Sequence, residues 1–475
     1  MASMKTLAKD TAIYGLSSIV GRFLNYLLVP LYTHYMPQSS GEYGESSNIY
    51  AFVAFLLPIL TFGMETTLFR FANKEGERPD TVFATGFTII ALLCSLFLGA
   101  LFFFIEPISQ SLGYDAHPEY LEMMGTVVVL DALQALPFSY LRFQKRAIKF
   151  ASLKLLFILF NIALNVLYFV VLGKTHVYFI FLINLWCTAA ITLFFVPDLL
   201  RIRWRLDWRL TKSMLSYSWP LLILGIAGIL NQCFDKMAFP LVSDAADAKQ
   251  QLGIYGACVK IAMIMAMITQ AFRYAYEPLV FSIAKEKNSK ETYAMGMKYF
   301  IIFTLLAFLC VEAYMPLLQH IIGADYREGL KVVPIVMAAE IMMGVLFNLS
   351  FWYKLIDQTI WGAVISVTSC VVLVVVNLVF IPTYGYMACA WGGVAGYGTG
   401  MVMSYVLGQW KNPIRYPMGK IIFYTLMTAA FYLLMLHLPP EWGTRVHMGI
   451  NTLLILFFLL CVYLFDIKPM RKHQQ

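Results

Sequence analysis

From about residue 11 to residue 466 the sequence alternates apolar runs of some twenty residues with short polar breaks, and nothing else in it constrains the fold so strongly. A helix that crosses a bilayer needs about 20 predominantly apolar residues. Reading the runs between polar punctuation places spans at about 11 to 35, 47 to 70, 82 to 105, 120 to 141, 150 to 172, 177 to 197 and 215 to 240. Seven more follow at about 253 to 281, 299 to 321, 332 to 353, 359 to 382, 386 to 409, 419 to 438 and 447 to 466. These fourteen spans use most of the 475 residues and leave only short connections, with no room for a separate soluble domain. Composition agrees: 60% of residues are apolar and 13% charged, where a soluble domain has about half and about a quarter. The expected class is all-α integral membrane protein.

The first ten residues carry Lys5 and Lys9 and lead into the first apolar run without a small-residue cleavage site, so that run reads as an uncleaved span. All eight cysteines lie singly in apolar segments, with no C-x-x-C pair and no histidine at ligand spacing, so they point to neither a redox compartment nor a metal. A formal net charge of +8 suggests nucleic acid in a soluble protein; here the basic residues first have to be assigned to a side of the membrane. With fourteen spans, the termini and even-numbered connections hold 26 Lys and Arg, Lys154 among them, and the opposite side holds five. The positive-inside rule then puts both ends in the cytoplasm. A single missed or invented span would scramble that asymmetry. The segment RIRWRLDWRL at 201 to 210 reads as a cytoplasmic interfacial anchor in which Arg and Trp interleave at headgroup level.

The two halves repeat at an offset of 212 residues. Gly41-Glu-Tyr-Gly44 recurs as Gly253-Ile-Tyr-Gly256, Arg142 maps to Lys354, Asn165 to Asn377 and Gly173 to Gly385. Spans 1 to 6 and 7 to 12 therefore read as two copies of one unit. Six being even, the copies share orientation, and this is the parallel repeat of transporters that alternate access about a central cavity. The division expected is 1–212 for an N-terminal lobe, 213–410 for a C-terminal lobe, and 411–475 for spans 13 and 14 with a cytoplasmic tail. The last two spans read as a peripheral lipid-facing pair without ionisable residues in their apolar cores. In span 12, Gly392, Gly396 and Gly400 recur every four residues as a close-packing stripe.

Charged side chains in mid-membrane are costly and normally face a wet cavity or a partner. Four cations fall inside spans: Arg22 on span 1, Lys236 on span 7, and Lys260 and Arg273 on span 8. Six acids do so as well: Glu65, Asp131, Asp235, Glu277, Glu312 and Glu340. The cations are the candidate groups for an anionic substrate. Glu65, Asp131, Asp235, Glu277 and Glu340 are the candidates for ion coupling. Asp235 and Lys236 are adjacent and expected to point in different directions. Arg273 and Glu277 stand one helical turn apart, placed to pair with each other. Pro30, Pro220, Pro240 and Pro278 read as interruptions and hinge points of spans 1, 7 and 8.

The segments TAIYGLSSIVGRFLNYLLVPLYTHYM, GEYGESSNIYAF, FGMETTLFRFA, LPFSYLRFQKR and VNLVFIPTYGYMACAW, in that order, resemble the bacterial polysaccharide flippases. These form the O-antigen and capsule branch of the multidrug, oligosaccharidyl-lipid and polysaccharide exporter superfamily, and the resemblance covers essentially the whole chain. It implies a V-shaped pair of six-helix repeats with two further helices, in the bacterial cytoplasmic (inner) membrane. It also implies flipping of undecaprenyl-pyrophosphate-linked oligosaccharide repeat units, with H+ or Na+ as coupling ion and no resident cofactor or metal. The partners implied are the lipid-linked substrate, membrane lipid, a polysaccharide polymerase and glycosyltransferases, with no nucleic acid. Such flippases often carry Asp-Arg late in span 7, where this chain has Asp235-Lys236, so the cation is kept without the bidentate fork. The alternatives are lipid II flipping and cation-coupled drug antiport within the same superfamily. An enzyme is not expected, because the chain lacks a sizeable polar loop with clustered carboxylates or histidines.

Overall fold

The computed structural model describes residues 28–201, 207–282, 289–356 and 358–469. Where no water reaches the backbone, each N–H and C=O has to be satisfied within its own segment, which long apolar runs achieve only as helices. The α-helices, in chain order, are α1 (Leu28–Tyr35), α2 (Glu42–Thr61), α3 (Met64–Ala72), α4 (Pro79–Phe103), α5 (Ile105–Leu112), α6 (Pro118–Phe143), α7 (Ala147–Val166), α8 (Val177–Leu193), α9 (Val196–Arg201) and α10 (Trp208–Val242). Then come α11 (Ala248–Ser282), α12 (Ser289–Ala313), α13 (Met315–Leu318), α14 (Val333–Leu349), α15 (Phe351–Leu355), α16 (Ile360–Tyr384), α17 (Tyr386–Lys411), α18 (Met418–Leu436) and α19 (Gly443–Val462).

Among the described residues, twelve helical segments are long and apolar enough to cross a membrane. The expected first span lies mostly outside the described residues. The twelfth is present as the 26-residue α17, whose Gly, Tyr and Trp content keeps it out of the twelve.

Two of the expected spans differ in detail. Span 2 is not one helix: Phe62 (φ 49°) and Gly63 (φ 65°) are both left-handed and separate α2 from α3. A glycine adopts that conformation freely, and here it redirects the chain so that Glu65 starts a new helix. The prolines behave in the opposite way, since α10 runs through Pro220 and Pro240 as one 35-residue helix. Asp207 caps its start, its carboxylate accepting from the backbone N–H groups of Arg209 (2.8 Å) and Leu210 (3.2 Å). Residues 202–206, the centre of the basic anchor, lie outside the described set.

The chain packs as two units. The first comprises 1–256 with 373–389, and the second 257–372 with 390–475. This grouping by packing differs from the grouping by duplication, because α10, counted with the C-terminal lobe in sequence, packs on α2 and α3 within the first unit. There the two copies of the duplicated Gly-x-Tyr-Gly motif meet. A Cβ on Gly44 would lie 1.7 Å from the carbonyl oxygen of Lys249, and one on Gly256 would lie 2.6 Å from Ser47 Oγ. Only hydrogen at these positions lets α2 and the start of α11 cross so closely. The duplicated asparagines also behave alike. Asn165 and Asn377 are both fully buried, and each donates to the carbonyl four residues earlier, on Asn161 (2.8 Å) and Leu373 (3.0 Å).

In the second unit α12 is the central element, packed by α14, α18 and α19 around a core that includes Phe300, Leu309, Phe431 and Phe458. Of the α17 glycine stripe, Gly400 is the tight contact, its hydrogen standing where a Cβ would be 2.3 Å from Ser369 Oγ. The last two helices carry no ionisable residue in their apolar cores, but their ends join an ion pair with α12. Asp466, in the turn that continues α19, is fully buried and accepts from Lys298 of α12 (2.7 Å) and from Lys420 (2.9 Å) and Tyr424 (2.5 Å) of α18. Their outer faces still expose large apolar side chains, Leu426 and Leu453 among them.

Candidate functional site

In the first unit one face of α6 carries Asp131, Phe138, Ser139 and Arg142, residues seven, eight and eleven positions apart and therefore aligned on a helix. Glu65, at the start of α3, comes against it. Its carboxylate accepts from Ser139 Oγ (3.0 Å) and from Arg142 Nη2 (3.4 Å), while Arg142 also donates to Ser139 (2.9 Å) and lies over the ring of Phe69 (5.3 Å). Glu65, read from sequence as an acid inside span 2 and a candidate for ion coupling, has a partner. It is half-buried and paired, because the break at Phe62-Gly63 swings it onto α6. Lys154, on α7, completes the group: its ammonium lies over Phe138 (4.1 Å) and acts electrostatically on Asp131, Glu65 and Arg142 together. Two acids and two bases balance in charge, and Lys154 remains exposed. The sequence reading counted it with the cytoplasmic lysines beside Lys149, although it lies two turns into α7.

Asp235 and Lys236 are brought together rather than held apart. Lys236 Nζ is 3.3 Å from both carboxylate oxygens, and Tyr255 donates its hydroxyl to Asp235 at 2.6 Å. The ammonium is also 5.5 Å from the Tyr255 ring. Neighbouring residues on a helix do not normally face each other; the four-carbon lysine stem folds back to do so here. The site is locked from the side by Asn48, whose Nδ2 donates to the Lys236 carbonyl (2.7 Å) and whose Oδ1 accepts from Tyr114 (2.9 Å). Burial, with Glu45 nearby, raises the Tyr114 hydroxyl well above its usual range, which keeps it a donor.

In the second unit Arg273 and Lys354 share one ring, their cationic groups 4.9 Å and 5.1 Å from the centroid of Phe347. Lys354 also contacts Phe351 (4.9 Å). Lys354 is the residue that duplicates Arg142, and both therefore stand over phenylalanine rings. Lys260 is half-buried on α11 and Glu340 half-buried on α14. The side chain of Glu277 and the whole of Arg22 lie outside the described residues, so the Arg273–Glu277 pair does too. Among the described residues no group of three His, Cys, Asp or Glu is placed to hold a metal, and the eight cysteines are free thiols.

The second unit also holds an apolar cavity of about 420 Å³ between α12, α14, α17 and α18. Ile301, Leu305, Ile341, Met342, Met401 and Ile421 dominate its wall.

Residues 7–283 match the family described as polysaccharide biosynthesis protein, more than half of the chain. The chain belongs to that family. No curated protein sequence matches it. Among solved structures, it is similar to the lipid II flippase MurJ in an inward closed conformation, with a TM-score of 0.74 at 13% identity over 95% of this chain and 99% of that one. It is also similar to a multidrug resistance MATE family transporter of the MOP superfamily. The inward-facing form gives a TM-score of 0.67 at 14% identity over 85% of this chain and 95% of that one, and the outward-facing form 0.58 at 13% identity over the same shares. At such identities the likeness establishes the fold. The chain is a multi-pass membrane protein of the polysaccharide biosynthesis family with the fold of these solved flippase and transporter structures.

Proposed function

We propose that the chain is an inner-membrane flippase that moves undecaprenyl-pyrophosphate-linked oligosaccharide repeat units from the cytoplasmic to the outer leaflet by alternating access, with both termini cytoplasmic. The observation that carries this reading is the polysaccharide biosynthesis family match over residues 7–283 on a chain with a transporter fold. A lipid-linked pyrophosphate sugar is a bulky anion on a long apolar tail. The cation–aromatic pair Arg273–Lys354 and the exposed Lys154 suit the anionic part, since ionised donors make the strongest hydrogen bonds to phosphate oxygens. The apolar cavity in the second unit suits a stretch of isoprenoid chain, which gains by leaving water. The flipped unit would pass to a polymerase on the outer face.

Deleting the gene and analysing the lipid fraction tests the reading. The expected result is accumulation of an undecaprenyl-pyrophosphate oligosaccharide. Accumulation of lipid II would assign the chain to peptidoglycan assembly instead. An unchanged lipid fraction with raised drug sensitivity would make it an antiporter.

A further inference from the structure

We infer that Glu312 is a reversible proton-binding site at the junction of α12, α18 and α19. Two side-chain oxygens there are buried and lack a hydrogen-bond partner: Glu312 Oε1 on α12 and Asn451 Oδ1 on α19. Asn451 is 6% exposed. The Asn451 amide is tied to the spot by its own donor, Nδ2 reaching the carbonyl of Ala313, the residue after Glu312, at 3.3 Å. One residue further on, Tyr314 meets Thr452 at 3.0 Å. On the other side Tyr432 of α18 packs on Phe308, one turn before Glu312 on the same face (ring centroids 5.4 Å apart).

A carboxylate and an amide carbonyl are both acceptors, and here neither has a donor. Leaving one such group unmade in a buried place costs about 1–3 kcal/mol, more if it is charged. One proton resolves this: taken up from water, it forms an O–H on the Glu312 carboxyl, removes the charge and supplies the donor that the asparagine oxygen lacks. The residue keeps partial exposure while Oε1 is sealed, which leaves a way in and out for the proton. The titratable or charged groups on the elements packed against it are Tyr432 on α18, Glu340 on α14, and Arg445 and His447 in the first turn of α19. Lys420 and Tyr424 of α18 are already engaged by Asp466. A single carboxylate also argues against a divalent ion, in keeping with the absence of a three-residue ligand group among the described residues.

The test is infrared difference spectroscopy of the full chain in lipid nanodiscs, stepped between acid and alkaline buffer at fixed sodium. The expected result is a carboxylic-acid carbonyl band that disappears in Glu312→Gln and persists in Asp131→Asn and Glu340→Gln. Asn451→Leu should move that band, because it removes the acceptor. If Glu312→Gln fails to fold, Glu312→Asp carries the test, retaining a displaced band. A band left intact in Glu312→Gln, unmoved in Glu312→Asp, or displaced by sodium at constant pH overturns the proposal, the last outcome in favour of a metal-cation site. The measurement involves no substrate. A Glu312 band in a chain whose deletion accumulates no lipid intermediate would therefore uphold this site and reject the flippase reading.

Discussion

Asp466, fully buried, and Glu312, half-buried with one oxygen sealed, are two acids at opposite ends of one helix junction, and their surroundings could hardly differ more. Asp466 is enclosed by two lysines and a tyrosine, which bind the last two helices to α12. Glu312, near the other end of α12, has a sealed oxygen with no donor at all. A carboxylate whose lone pairs are filled has one stable protonation state and holds structure. One whose sealed oxygen has no donor gains a donor by taking up a proton.

The comparison breaks most visibly at Asp466. Asp466→Ala strands Lys298, 9% exposed, and should cost about 3–5 kcal/mol, the usual result of removing one partner from a buried pair. Thermal unfolding in detergent reads this directly, and the double change Asp466→Leu with Lys298→Met should recover most of the loss. Tyr424→Phe comes next: it deletes one hydrogen bond to the carboxylate, worth about 1.5–3 kcal/mol, and should lower the midpoint without disordering the helices. Lys420→Met should cost about 1 kcal/mol or less, its ammonium being 47% exposed and screened by water. Smallest of all is Glu312→Gln, which imitates the protonated acid and should shift stability by less than about 0.5 kcal/mol. A loss at Glu312 as large as that at Asp466 would erase the distinction between the two acids.

What sequence allowed one to see follows the same division. Spans were legible because apolar runs of bilayer length have one solution, and the duplicated Gly-x-Tyr-Gly motif was legible because both copies serve a single crossing of α2 and α11. Pairing was not. Asp466 ends an apolar run, where a charge reads as headgroup contact, and only the fold brings Lys298 to it from 168 residues away. Lys154 was absorbed into the basic cluster around Lys149, whose own partner is Asp198. The left-handed pair Phe62-Gly63 was hidden because Pro58 in α2 and Pro220 in α10 are the residues that announce a break, and both lie inside continuous helix. Tertiary packing decided each of these, and local spacing carried no trace of it.

The central claim, that this chain flips a lipid-linked oligosaccharide, is tested most directly by reconstitution. The purified chain is placed in liposomes loaded with an undecaprenyl-pyrophosphate oligosaccharide, and a membrane-impermeant glycosidase is added outside. The account predicts that digestion proceeds beyond the outer-leaflet pool in vesicles holding the chain, and more slowly with Lys154→Gln or Arg273→Gln. Digestion that stops at the same fraction as in protein-free vesicles would contradict it.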